Sequence, residues 1–466
     1  MRKAEAALLS GLLALAGCDL APRYAAPPIA VPSSWKEVPA GWQAAEPSAA
    51  TLPPSWWGAF GDPVLNDLEA RVEAANPSLA ASLARYDAAL GELGVSRADL
   101  FPTVTIGGNA ERTRTSGNTL SVAGGRAYDL YAVQGSLAYE IDLFGRVRNQ
   151  IRSSRGEVEA SAADVRGVRL GLQAQLASTY FQLRGADARL KLLGETVQAF
   201  DRAYQLTVTR HEGGIASGLD TNRARTQLSA ARAEIAATQA QRATYEHAIA
   251  ALAGTAPAGF ALPPIAGDVP TPPVVPAGLP STLLERRPDV DAAERRAYAA
   301  NRDIGVARAA LFPALTLGAD GGFQSTGARL ISAASSFWAL GPASAALTIL
   351  DGGARRSRVR IARARFDEAA ANYKQTVLTA LREVEDDLAQ SRDQARQERD
   401  LADAAQAADR TNALALIRYR DGASDFLEVV TAQTAALDTR RSLIELRTQR
   451  LATAVDTVRA LGGPVA

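Results

Sequence analysis

The chain of 466 residues holds one cysteine, Cys18, and two histidines, His211 and His247. A single cysteine excludes an internal disulfide. Neither histidine lies at ligand spacing from other His, Cys or acidic residues, which argues against a histidine metal site. Charge of one sign is also lacking: 51 Lys and Arg face 50 Asp and Glu, so nothing global points to nucleic acid. There is no P-loop, no nucleophile–base arrangement and no GxGxxG opening a helix, and the "DGG" and "GGA" pieces read as turns. No enzyme and no cofactor are expected. Past the N-terminus no apolar run is long enough to cross a membrane as a helix. The best candidate, the uncharged stretch 330–350, is broken by Gly341-Pro342 and reads as loop, turn and strand.

The first residues carry a targeting signal. Arg2 and Lys3 precede the apolar stretch "AALLSGLLALAG", which ends at Cys18 and is too short to span a bilayer stably. Residues 1–17 read as a signal peptide. Leu15-Ala16-Gly17-Cys18 resembles the bacterial lipobox, in which the cysteine becomes the mature N-terminus and carries acyl chains such as palmitate. Several acyl chains on one residue give firm anchoring. An ordinary signal with an incidental cysteine is the alternative, and a sole cysteine at this position favours the lipoprotein. Asp19 follows directly; in some enteric bacteria an Asp there favours retention in the inner membrane. Residues 18–57, rich in Pro and small side chains, suit an extended tether.

Proline maps the rest. It is absent from 103–256 and again from 343–463, and it clusters in a connector at 255–280. The blocks repeat. "VSRADLFPTVTIG" (95–107) returns as "VARAALFPALTLG" (306–318), 211 positions on. "RHEGGIASGLD" (210–220) returns as "RYRDGASDFLE" (418–428) at an offset of 208, so a three-residue difference lies between the landmarks. Asn76-Pro77 matches Arg287-Pro288 at the first offset. Two structural repeats, 58–254 and 281–463, are expected. Each runs helix, "LFP", strand, loop, strand, long helix, tight turn, long helix.

The expected strands alternate. From Val133 the odd positions Val133, Gly135, Leu137, Tyr139 and Ile141 are apolar or small. The positions between them are Gln134, Ser136, Ala138, Glu140 and Asp142, a mostly polar set. The second return strand is expected from Ala343 through Ala345, Leu347 and Ile349. A soluble sheet on a core and a membrane barrel with a wet lumen both fit this pattern; the lipobox and the duplication favour the barrel. Four strands cannot close one, since about eight is the smallest known. Several chains must then contribute, and a trimer supplies twelve.

After Gly145 apolar residues recur in sevens: Ile151, Val158, Val165, Leu172, then Leu176, Leu183, Leu190, Val197, Tyr204. This predicts coiled-coil packing with one four-residue stutter. The second-half helix holds only Leu388 and Leu401 as larger apolar residues between 385 and 411, so it reads either as solvent-bridging or as a helix with Ala contacts on one side and a wet channel on the other. Arginines crowd both strand-to-helix junctions: Arg146, Arg148, Arg152 and Arg155, then Arg355, Arg356, Arg358, Arg360, Arg363 and Arg365. Positive charge at a helix N-terminus opposes the macrodipole. Anionic lipid headgroups or acids of an adjacent subunit are the expected compensation.

Taken together, "WWGAFGDPVLNDLE" (56–69), "EIDLFGRVR" (140–148), the stretch 279–313 with its Arg287-Pro288-Asp289-Val290 core, "ILDGGARR" (349–356) and "RYRDGASDFLEVVTAQ" (418–433) resemble the TolC-like outer-membrane efflux proteins, in their OprM and NodT lipoprotein branch. The resemblance implies a mixed α/β membrane protein, mostly long helical coiled coils forming a periplasmic tube, with four strands per chain in a trimeric twelve-stranded outer-membrane barrel. It implies a passive exit duct for small toxic compounds or drugs, served by a periplasmic adaptor and an inner-membrane pump, usually of the resistance-nodulation-division type. A type I protein-secretion duct and a non-channel periplasmic coiled-coil lipoprotein are the alternatives. Carried over by position, the periplasmic gate falls on Tyr419, Arg420, Asp421, Asp425 and Leu427, with the tip turns at Gly214 and Gly422 and the lipid on Cys18. Thr431 stands where that branch often has Asp. Asp421 and Asp425 are nearby acids that substitute for it or are solvated turn residues.

Overall fold

The computed structural model describes residues 19–37, 55–114, 116, 118, 125, 127–265, 267, 269–273, 275, 280–327, 337–341 and 343–463. The signal peptide, Cys18, much of the tether and part of the Pro-rich connector lie outside them. The chain forms two compact units: Met1–Pro28, Arg85–Ala162 and Ala292–Lys374 in one, Ile29–Ala84, Ala163–Asp291 and Gln375–Ala466 in the other. Both draw on both halves of the sequence, so the repeats and the spatial units divide the chain differently.

A 3-10 turn, Trp56–Phe60, leads into α1 (Pro63–Ala75) and α2 (Pro77–Ala98). Then come β1 (Thr103–Arg114), β2 (Ala127–Ile141), α3 (Arg146–Glu212) and α4 (Gly218–Leu252). The second half begins with the short α5 (Pro280–Arg286). It continues through α6 (Pro288–Ala309), β3 (Ala314–Ser325), β4 (Phe337–Leu340), β5 (Ala343–Ala346), α7 (Ala354–Arg420) and α8 (Phe426–Ala460). The duplication is exact in length for four element pairs. α2 and α6 have 22 residues, β1 and β3 have 12, α3 and α7 have 67, α4 and α8 have 35. The offset is 211 at the first strand of each half (Thr103, Ala314) and 208 where the long helices start (Arg146, Ala354). The three-residue difference therefore lies in the strand hairpins, where loops tolerate length changes.

The first unit carries the sheet. β1 pairs antiparallel with β2, β2 with β3, and β3 with both β4 and β5. The last two are one interrupted strand. Asp320 faces Leu340 and Leu317 faces Ala343, in the same register across Gly341-Pro342, and proline brings no ladder N–H. This corrects the expected second return strand, which starts earlier, at Phe337, and ends at Ala346, leaving Leu347 and Ile349 beyond it and exposed. Cross-strand partners share a face, so the register extends the alternation seen in β2 to the facing stretches of β1 and β3, while β4 places Trp338 on the face of Gln134 and Gly322. Val104 pairs with Leu137, Leu137 with Ala319, Tyr139 with Leu317, and Val133 with Phe323. Thr105 pairs with Ser136, hydroxyl to hydroxyl at 2.6 Å, and Ser136 with Asp320. The apolar face covers no core: Val104, Ile106 and Phe337 are 65, 82 and 59% exposed. β2 and β3 meet at a tight spot, where a Cβ on Gly322 would sit 2.2 Å from the Val133 carbonyl oxygen.

At the strand-to-helix junctions the basic residues find partners within the chain. Arg146 grips Glu140 through two bonds of 2.7 and 2.8 Å, Arg148 donates to Asp142 at 3.1 Å, and Arg152 to Asp19 at 2.6 Å. Arg355 donates to the carbonyls of Ala310 and Thr348 and lies 3.4 Å from Asp351. For these four, the expected lipid or neighbouring-subunit acids are replaced by acids and carbonyls of the same chain. Arg356, Arg358 and Arg363 are exposed and, among the described residues, make no ion pair.

The second unit is helical. Trp56, Leu65, Leu68, Leu176, Tyr180, Phe181 and Leu183 form a buried core. Asp62 caps α1, accepting from the Val64 and Leu65 N–H groups with Pro63 at the first helical position, and it also accepts from the Tyr180 hydroxyl. Of the heptad series, Val158, Leu176 and Leu183 are buried while Ile151, Val165, Leu172, Leu190, Val197 and Tyr204 are half-buried, and over residues 183–188 the helix is buried all round. α7 is sparser still: Leu388, Gln394, Ala405, Ala415 and Tyr419 are buried among mostly exposed neighbours. That is the narrow Ala-lined contact with a polar remainder.

The Asn76-Pro77 and Arg287-Pro288 pair has a common job. Asn76 donates its side-chain amide to the Leu252 carbonyl at the end of α4 (2.7 Å), and Arg287 donates to the Ala460 carbonyl at the end of α8 (3.0 Å). Leu252 and Ala460 are themselves counterparts at the 208 offset. Each repeat thus ties its helix ending back to the start of its strand-bearing helix. Arg287 does more than Asn76. It makes two bonds to Asp289 (2.9 and 2.7 Å) and one to Glu383 on α7 (2.8 Å), and it is 5% exposed.

Candidate functional site

Two helix hairpins, α3–α4 and α7–α8, turn at equivalent places in the second unit. The first turn is closed by Ile215 N–H to Arg210 C=O (2.8 Å), the second by Ala423 N–H to Arg418 C=O (2.8 Å). These six-to-one bonds need a left-handed residue just inside them. Gly214 (φ 73°) and Gly422 (φ 77°) supply it, as the sequence predicts. Ser217 and Asp425 then cap α4 and α8, accepting from Leu219 N–H (3.1 Å) and Glu428 N–H (3.1 Å). The cap occupies Asp425, leaving Asp421 as the uncommitted acid of the turn. Asp421 is exposed and 4.0 Å from Arg420, itself exposed.

Tyr419 is placed inward. It is 3% exposed, packs edge-on against Phe426 at 5.1 Å, and joins Ala203, Ala224, Ala415, Val429 and Ala432 in a cluster drawn from all four long helices. The guanidinium of Arg210 lies 4.7 Å over the Tyr419 ring and donates to the Tyr419 carbonyl at 2.7 Å. Arg210 therefore bridges the two hairpins. Reading the motif by resemblance missed it and Phe426. The signal was present in the duplication: Arg210 and Arg418 stand at the same place in the two turn motifs. Leu427 lies one residue past Phe426 with 46% of its surface exposed, matched on the other hairpin by Leu219 at 57%. Thr431 hydrogen-bonds back to the Leu427 carbonyl at 2.9 Å, a local use of the hydroxyl. Across the same turn, Arg418 lies 3.7 Å from Glu428. The tip thus joins a rigid aromatic interior to an exposed rim of Arg420, Asp421 and Leu427, and nothing in it is arranged as a nucleophile or acid–base pair.

Long helical hairpins together with an antiparallel sheet whose apolar residues stay exposed fit one class, the subunit of an outer-membrane channel that reaches into the periplasm, and the relatives below are of that class. The chain belongs to the outer membrane efflux protein family, whose profile matches twice, over residues 70–255 and 279–463. It is 33% identical over 468 aligned positions to the antibiotic efflux pump outer membrane protein ArpC of Pseudomonas putida, covering 99% of this chain and 96% of that one. It is 34% identical over 459 positions to outer membrane protein OprJ of Pseudomonas aeruginosa, covering 97 and 94%. Its fold matches that of the outer-membrane channel OprN with a TM-score of 0.89 at 30% identity, over 96% of this chain and 99% of the other. Among the described residues no helix is long and apolar enough to cross a membrane.

Proposed function

We propose that three copies of this chain form a passive exit duct of a tripartite efflux system, anchored through Cys18 and gated at the hairpin tips. One observation carries this reading. The sheet has two unpaired edges, β1 and the β4–β5 strand, together with an apolar face that covers no core. In lipid every backbone donor and acceptor needs a partner, so such a sheet is stable only when closed. Three four-stranded sheets joined edge to edge give twelve strands, apolar outward and polar toward a wet lumen.

The tip supports the gate. Arg420, Asp421 and Leu427 form the exposed rim, while Tyr419, Arg210 and Phe426 hold its shape from within. A periplasmic adaptor that binds the open tip better than the closed one shifts the population toward opening, and an inner-membrane pump, of the resistance-nodulation-division type, supplies the energy. The relative ArpC is named an antibiotic efflux pump outer membrane protein, which supports small-molecule cargo over secreted polypeptides. The test is conductance in planar bilayers. Purified protein runs as a heat-modifiable trimer, and Leu427→Ala and Arg420→Ala channels conduct several-fold more than wild type. Channels no more open than wild type would remove these residues from the gate. A protein without trimers or conductance would be the non-channel coiled-coil lipoprotein instead.

A further inference from the structure

The first described residues do not hang free. Within the first unit, residues 19–24 lie antiparallel along one face of α6. Arg308 donates to the Leu20 carbonyl at 3.1 Å, and Tyr24 donates to the Glu294 carboxylate at 2.7 Å while stacking edge-on to Tyr298 at 5.3 Å. Between them Gly305 leaves room for the backbone: a Cβ there would meet the Ala21 Cβ at 2.8 Å. The contacts on α6 fall at 294, 298, 302, 305 and 308, the three-and-four spacing of one helix face. Asp19 is the focus. One carboxylate oxygen accepts from the Asn149 amide (2.8 Å) and the Ala21 N–H (3.0 Å); the other accepts from Arg152 (2.6 Å) and lies 3.5 Å from Arg302. Partial burial pushes this carboxyl up, but the Asn149 and Ala21 hydrogen bonds and the Arg152 charge outweigh it and hold it below the usual carboxylate range.

The groove is built once. At the counterpart positions of α2 the ring and the guanidinium of Tyr298 and Arg302 are replaced by Asp87 and Gly91. Gly94, the counterpart of Gly305, has open space around it. A chain with one N-terminus needs one such groove, so the divergence of the two copies here has a reason. Leu20 sits at the C-terminal end of α6, where "LFP" leads into β3.

We propose that this groove is a socket for the mature N-terminus. By occupying both oxygens of Asp19 it withdraws that carboxylate from the sorting step that would read it as an inner-membrane retention signal. The inference rests on the lipoprotein reading of Cys18, about 3.8 Å along the chain from Asp19. Sorting to the outer membrane is then coupled to folding: an unfolded chain shows a retention signal, and a folded one does not.

The experiment fractionates membranes of an enteric host, with mass spectrometry of the N-terminal peptide to establish acylation. Residues 1–24 fused to a soluble periplasmic reporter should be acylated and remain in the inner membrane. The full-length chain should reach the outer membrane. Arg152→Ala with Arg302→Ala should move most of the full-length protein to the inner membrane, and adding Asp19→Ser should return it. Outer-membrane sorting of the fusion or of the double variant overturns the proposal. Failure of Asp19→Ser to rescue also overturns it, because the defect would then be misfolding rather than an exposed carboxylate. An unacylated Cys18 in the mass spectrum sinks the lipoprotein reading itself, which the other outcomes leave standing.

Discussion

At the residue scale, two buried charged groups carry opposite consequences. Arg287 is buried but fully engaged, with Asp289, Glu383 and the Ala460 carbonyl around it. Removing one partner of such a group strands the others and costs about 3–5 kcal/mol. Arg287→Ala should therefore lower the thermal midpoint sharply, and Arg287→Lys should recover only part of it, because an ammonium cannot reproduce the fork. Glu69 is the reverse case: 1% exposed, with neither carboxylate oxygen hydrogen-bonded. Burial, with a smaller contribution from Glu73, pushes it up to about 9. In the fold it stays protonated where the unfolded chain ionises, so its contribution to stability is fully present below the unfolded pKa and declines as pH rises toward 9. Glu69→Gln should raise the thermal midpoint at pH 8 by more than at pH 4.5. Equal shifts at both pH values in melting curves would contradict the assignment. Sequence pattern exposed the first residue, since Arg287-Pro288 is a repeated landmark. It did not expose the second, because burial of a single Glu in an amphipathic helix depends on what packs over it.

At the element scale, the strands show what alternation can and cannot settle. The faces of β2 are readable from residues 133–142 because the side-chain period of a strand is two. Register fixes how the faces join, and Gly322 shows how tightly. Gly322→Ala puts a methyl carbon against the Val133 carbonyl, so β2 and β3 cannot keep their pairing. This variant should yield little heat-modifiable trimer on semi-native gels, while Gly107→Ala, with nothing within 4 Å of its added carbon, should assemble normally. The interruption between β4 and β5 was foreshadowed by Gly341-Pro342. The strand's start was not, since its first half lies before the proline, from Phe337, and holds its register through pairing with β3.

At the scale of the whole molecule, the duplication sets the plan and the departures from it mark specialised places. α3 and α7 share a length of 67 residues, about 100 Å at 1.5 Å per residue, yet α3 has a dense apolar seam and α7 a sparse one. The N-terminal groove exists on α6 and not on α2. The arginines starting α7 divide likewise: Arg355 is tied to its own chain, while Arg356 and Arg358 stay exposed near the start of the membrane strands. We propose that these two meet anionic headgroups, each worth about 1 kcal/mol at a membrane surface. Arg356→Gln with Arg358→Gln should weaken insertion into vesicles rich in anionic lipid and leave insertion into neutral vesicles unchanged; equal insertion of variant and wild type into both would exclude the lipid role.

The sequence by itself determined the repeat, the element order, the strand faces, the turn glycines and the family. These are local or periodic properties, written in spacing and in residues such as proline and glycine whose backbone limits act wherever they occur. Tertiary structure decided the partners. It turned Tyr419 inward under Arg210, spent Asp425 on a helix cap, and matched Arg146, Arg148 and Arg152 with acids of the same chain. It also folded Asp19 onto Asn149, Arg152 and Arg302. The Arg210–Tyr419 and Asp19 pairings join residues more than a hundred positions apart, and no spacing rule encodes which distant side chains a packed fold brings together.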